Sequence, residues 1–147
     1  MNKRLLALVL AFACIELTAH AGDYTLQFFA TSYHPMSSEK TNGDHNLLGI
    51  EYIESNIGYS LSTFKNSYHK QSVMYAQSVY LENYDRHYSF FLSAGAATGY
   101  KNTGACIIEI GSLCSVFGLG IVFTTYDIRP RIAFIGEALV LSLAYKW

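Results

Sequence analysis

The final segment shows most clearly how the chain is patterned. Leu139, Leu141, Leu143, Tyr145 and Trp147 fall on one side of an extended run, and Ala138, Val140, Ser142, Ala144 and Lys146 on the other. Side chains alternate faces along a strand, so this spacing predicts β-structure rather than helix. The same alternation between turn signals predicts strands at Tyr24–Tyr33, Leu47–Ile53, Ile57–Phe64, Ser72–Leu81, Tyr88–Gly99, Ala105–Val116, Leu119–Tyr126 and Ala138–Trp147. That gives eight strands and no helix. Polar connections separate them: a long one at Pro35–Asn46, shorter ones at Glu54–Asn56, Asn66–Gln71, Glu82–His87 and Tyr100–Gly104, a tight turn near Phe117-Gly118, and Asp127–Glu137.

The second face of these strands is the unusual feature. In the fifth segment Tyr88, Phe90, Leu92, Ala94 and Ala96 oppose Ser89, Phe91, Ser93, Gly95 and Ala97, so one face is apolar and the other mostly small. A water-soluble sandwich would show Lys and Glu on its outer face, whereas lipid outside suits this pattern. A bilayer requires every backbone polar group to be paired, which a closed barrel achieves, and eight strands is the smallest common version. The expected fold is therefore all-β, an eight-stranded antiparallel outer-membrane β-barrel. The last strand, ending on an aromatic, resembles the assembly signal of bacterial outer-membrane barrels. A secreted lipocalin-like barrel or sandwich is the alternative.

The first residues refine the localisation. MNKR, the apolar run Leu5 to Leu17 and Ala19-His20-Ala21 read as a secretory signal peptide over residues 1–21, leaving 22–147 as a single barrel domain. Without Lys3, Arg4 and Glu16 the chain keeps eight basic and ten acidic residues. That near-neutral balance argues against nucleic acid, which would call for a basic stripe. The five histidines show no ligand spacing and no Gly-rich phosphate loop follows a strand, so no metal is expected. A monomer in the bacterial outer membrane is the expectation.

Candidate chemistry gathers at one junction, TFKNSYHKQS, Thr63 to Ser72. With an even strand count both termini lie on one side, so the ends of the first and third strands share the opposite rim. His34, after the first strand, and Asn66-Ser67, after the third, can therefore meet. A hydroxyl nucleophile needs a base within hydrogen-bond reach and a group to orient that base. The plain alternative is a polar turn, because Asn and Ser favour turns through side-chain bonds to the backbone. Lys65, His69, Lys70, Arg129 and Arg131 read as headgroup or phosphate contacts, and His45 as part of a solvated loop.

FKNSYHKQSVMYAQSVYLE resembles the catalytic segment of the outer-membrane lipid A palmitoyltransferase (PagP-type) family, in which Lys-Asp-Ser follows an aromatic at an outer strand end. Tyr33-His34 is similar to that family's Trp-His after its first strand. The resemblance implies acyl transfer from a phospholipid to lipid A or a related glycolipid, with His34 as general base, Ser67 as the activated hydroxyl and Asn66 orienting them. It implies an acyl pocket along Met74, Ala76 and Ser78, the last standing where the family has a depth-setting Gly. No cofactor is implied, since an ester already stores the free energy for transacylation. Two features depart from the family: its amphipathic helix before the barrel is missing, and Asn66 replaces Asp, so an imidazolium at His34 would lack charge stabilisation. Asn66→Asp is then expected to preserve or raise activity. The alternative function is a non-catalytic barrel with a structural, adhesive or surface-masking role.

Cys106 and Cys114 admit two arrangements. A hairpin loop at Glu109–Gly111 would bring them face to face. A single strand over Ala105–Val116, which the resemblance suggests, would separate them by ~27 Å at ~3.4 Å per residue, beyond disulfide reach. The single strand, with unpaired thiols, is the expectation.

Overall fold

The structure, a computed structural model, describes residues 22–35, 41–81, 87–101 and 106–147. The expected leader, residues 1–21, lies outside the described residues. The described chain forms strands β1 (Asp23–Tyr33), β2 (Leu48–Glu54), β3 (Ile57–Lys65), β4 (Gln71–Leu81), β5 (Tyr88–Ala97), β6 (Glu109–Ile110), β7 (Leu113–Phe123), β8 (Ile128–Ile135) and β9 (Ala138–Lys146). Every pairing is antiparallel. β1 pairs with both β2 and β9, and β5 pairs directly with β7, so the ladder closes on itself. β6 is only a two-residue arm that folds back antiparallel on the start of β7. The wall is therefore an eight-stranded closed barrel, and closure removes the unpaired edges that an open sheet would present.

Alternation sorts the side chains as the sequence predicts. Along β3 and β4 the buried set is Ser60, Ser62, Phe64, Ser72, Ala76, Ser78 and Tyr80, whereas Tyr59, Leu61, Val73, Tyr75 and Val79 are exposed on the outside. The outer wall is thus apolar and the inner wall small and polar, the reverse of a soluble protein. At the end carrying the termini, β2 and β3 are joined through Ser55 and Asn56, both with positive φ, as a two-residue hairpin of the primed type requires. Trp147 stacks on Tyr24 there, across the seam where the last strand meets the first.

Three expectations are corrected. Leu113–Phe123 is one strand, so Phe117 and Gly118 lie in mid-strand opposite Ala94 and Ser93, and the turn sits at Gly111, whose φ of 65° suits it. Ile128–Ile135, read as a connection, is the seventh stave. Its Arg129 and Arg131 are buried against the interior rather than presented to headgroups. Pro130, which cannot donate to a ladder, stands just beyond the point where the β7–β8 pairing stops at Val122↔Arg131. Finally, Cys106 and Cys114 form a disulfide, with Cα atoms 5.3 Å apart. The hairpin at Gly111 turns the chain back and brings them within reach.

The half of the barrel nearer the termini is filled. Ile53, Tyr80, Phe91, Val122 and Ala133 pack together. Beside them Glu51, 1% exposed, accepts bonds from Tyr80, Thr25 and Arg131. An ionised group can be kept out of water only when its lone pairs are met in this way.

Candidate functional site

The rim opposite the termini holds the candidate residues. β1 ends at Tyr33, and period two puts Ser32 and His34 on its inward side. β3 ends at Lys65, followed by the tight turn Asn66–Lys70. The segment Asn42–His45 threads between these two ends. It bonds to β1 through Ser32 N–H to Gly43 O (2.9 Å) and His45 N–H to Ala30 O (3.1 Å). It bonds to the turn through Asn42 N–H to Ser67 O (2.9 Å), and to the end of β3 through Lys65 N–H to His45 O (2.6 Å). That bridging segment fixes the spacing of the two strand ends.

As a result, Ser67 Oγ lies 2.9 Å from His34 Nε2. Ser32 Oγ is 3.2 Å from the same nitrogen and 2.6 Å from His45 Nε2. His45 Nδ1 is 2.7 Å from the carbonyl oxygen of Lys65. Burial holds the His34 ring's pKa below its ordinary 6.5. The carboxylate of Glu137 opposes that shift, and the neighbouring His45 adds to it. His34 Nδ1 is buried without a hydrogen-bond partner.

Asn66 does not reach the histidine. It is fully buried; its Oδ1 accepts the N–H groups of Tyr68 (2.9 Å) and Lys70 (3.0 Å), and its Nδ2 donates to Ser72 Oγ and Gly99 O, both at 3.0 Å. This is the side-chain turn closure for which Asn is suited, here also pinned to the neighbouring β5 end. Gly99 has φ +87°, and a Cβ on it would meet Ser72 Oγ at 2.5 Å, so a glycine suits the point where the two segments touch. Asn66 therefore sets the place of Ser67 through the backbone. Tyr68 and Tyr100 meet edge to face beside this turn, and burial, with Tyr68 adding to it, pushes the Tyr100 phenol up to about 12.

Of the residues picked out in the sequence, His34 and Ser67 are brought together, and Asn66 sits behind Ser67. Met74, Ala76 and Ser78 line the inside of β4 below the rim. Their neighbours in register are small: Gly58, Ser93 and Gly118 stand level with Ser78 on β3, β5 and β7. His45 was missed. It is buried, not solvated, and both ring nitrogens are engaged. Ser32 had a signal, since it shares a face with His34; His45 had none, because only the threading of its loop places it. Among the described residues, no three His, Cys, Asp or Glu side chains are grouped to hold a metal. A groove of roughly 680 Å³ lies elsewhere, on the outer wall between Val79, Leu92, Ala94, Phe117, Leu119 and Phe134.

No family model and no curated protein matches the sequence. Among solved structures the chain is similar to one from work on the "De novo design of transmembrane beta-barrels", at 11% identity and a TM-score of 0.65, over 88% of this chain and 98% of that one. At that identity the likeness is one of fold. The closed ladder and apolar outer wall define a small β-barrel of the transmembrane kind. That fold is typical of outer-membrane proteins and suited to contact with lipid.

Proposed function

We propose that the protein is an outer-membrane acyltransferase, moving an acyl chain from a phospholipid to lipid A or a related glycolipid. The observation that carries this reading is the 2.9 Å approach of Ser67 Oγ to His34 Nε2, across 33 residues of sequence and at one rim of the barrel. A positioned hydroxyl and imidazole are what ester exchange requires. In the reaction, His34 takes a proton from Ser67, or through it from the acceptor hydroxyl, and returns it to the leaving lysophospholipid; one ester breaks as another forms. The small inward residues around Met74, Ala76 and Ser78 support an acyl chain entering from the rim, with the Glu51–Tyr80 contact below as a floor.

Mass spectrometry of outer-membrane lipids, with and without the protein, tests the reading. The wild type should add one acyl chain, and His34→Ala and Ser67→Ala should abolish the addition while leaving a folded, heat-modifiable barrel. Ser78→Gly should lengthen the chain transferred. One observation favours a second reading, a non-catalytic barrel with a structural, adhesive or surface-masking role: the outer-wall groove is not lined by His34 or Ser67. Identical lipids with and without wild-type protein would select it.

A further inference from the structure

The hydrogen bonds around His34 constrain where its proton sits. A carbonyl only accepts, so the 2.7 Å contact with Lys65 O requires a proton on His45 Nδ1. In neutral His45 the other nitrogen, Nε2, is then an acceptor, and Ser32, 2.6 Å away, gives it its only hydroxyl proton. Ser32 Oγ therefore faces His34 Nε2, at 3.2 Å, as an acceptor. For that contact to bond, neutral His34 must carry its proton on Nε2. Ser67 Oγ, 2.9 Å from the same nitrogen, then meets an N–H and not a lone pair. In this resting arrangement His34 holds Ser67 but cannot take its proton.

A base at Nε2 requires the ring proton to move to Nδ1, where an acceptor must meet it. Nδ1 is buried and has no partner, and Asn66 is fully engaged elsewhere. The β8–β9 turn carries a carboxylate on this side of the rim. Tyr33 pairs with Leu139 on β9, and Ile135 pairs with Ala138, so the Gly136-Glu137 turn stands beside the segment that carries His34. Glu137 is exposed at that turn, and its carboxylate raises the pKa of the His34 ring.

We propose that Glu137 is a positioning residue for His34: by accepting a bond from Nδ1–H it moves the ring proton away from Nε2, against the Ser32–His45 pair, and turns His34 from a donor into the base for Ser67. The proton only changes nitrogen on one ring, so no co-reactant is needed. The chemical use of this switch rests on the acyl-transfer reading; the tautomer itself does not.

The test is ¹⁵N NMR of histidine-labelled full-length protein in micelles, above the pH at which His34 titrates, beside lipid acylation assays. Wild-type His34 should be mainly the Nε2–H form. Ser32→Ala should shift it toward Nδ1–H, and adding Glu137→Gln should reverse that shift. His45 in Glu137→Gln should remain Nδ1–H, reporting an intact rim. Glu137→Gln alone should lower acyl transfer roughly a hundredfold, the lower end of what general-base catalysis contributes. A His34 ring that stays Nε2–H in Ser32→Ala, or a double variant identical to Ser32→Ala, overturns the proposal even if acyl transfer is found. The predicted tautomer shifts in a protein that transfers no acyl chain would overturn the acyltransferase reading and leave the Glu137 contact standing.

Discussion

Arg131 Nη2 meets Glu51 Oε2 at 2.5 Å inside the barrel, joining β8 to β2 across 80 residues of sequence. Tyr80 reaches the other carboxylate oxygen from β4 at 2.7 Å and Thr25 donates from β1 at 3.3 Å, so one buried carboxylate ties four staves together. Removing one partner of such a pair leaves an uncompensated charge and costs about 3–5 kcal/mol. Arg131→Met should therefore lower the unfolding free energy by about that much, and Tyr80→Phe by about 1.5–3 kcal/mol for a lost bond to a charged group. Denaturant unfolding in detergent, followed by tryptophan fluorescence, measures both. Unchanged midpoints in both variants would show that the network carries no stability.

The disulfide predicts a simple chemical result. The chain from Gly22 onward should show no free thiol when denatured without reductant, and two after reduction, because Cys106 and Cys114 are bonded. In the chain-entropy picture a short closed loop contributes about 2–3 kcal/mol. That stabilisation belongs to the β6–β7 hairpin, since the β5–β7 ladder holds the rest of β7 independently. Hydrogen exchange in Cys114→Ser should rise at Ile108–Leu113 and stay unchanged in the middle of β7.

The first five strands and the last were legible because each alternates cleanly between two faces. β8 was not, for a physical reason: Arg129, Pro130 and Arg131 read as a loop unless something inside the barrel meets the arginines, and the carboxylate that meets Arg131 is Glu51, far away in the chain. Gly118 read as a turn, yet it is a small inward residue in mid-strand, and local sequence does not distinguish the two uses. At the rim, His34 and Ser67 could be named because both end outward-running strands. His45 and Glu137 depend on how a loop threads and where a hairpin lands, and neither is written locally.

Asn66→Asp separates the sequence expectation from the structure. The resemblance to the palmitoyltransferase segment implies that a carboxylate here keeps or raises activity. The geometry reverses this. The Asn66 amide donates to Ser72 Oγ and to Gly99 O, both at 3.0 Å, and a carboxylate would set an oxygen against the Gly99 carbonyl in a fully buried site. The lost donor and the unmet acceptor should cost about 1–3 kcal/mol and displace Ser67. The Ser67–His34 bond should lengthen in this variant, and on the acyl-transfer proposal the transfer should fall with it. Activity at or above wild type would show that charge at this position matters more than the turn.

The pH dependence follows from His34. Burial holds its pKa below the ordinary 6.5, Glu137 opposes the shift and His45 reinforces it. A depressed value means that the unfolded chain binds the proton more readily than the folded one. The ring's contribution to stability is therefore present above pH 6.5 and is lost as pH falls through the lower folded value. On the acyl-transfer proposal a base must be unprotonated, so transfer should persist below pH 6.5 and fail only at the folded-state value. His45→Gln removes the neighbouring ring that lowers the His34 pKa and should move the acid limb up toward 6.5, whereas Glu137→Gln removes the carboxylate that raises it and should move the limb lower. Following the His34 ring by NMR across pH 4 to 8 checks all three directions, and a wild-type midpoint at or above 6.5 would show that the rim leaves the ring as open to water as in the unfolded chain.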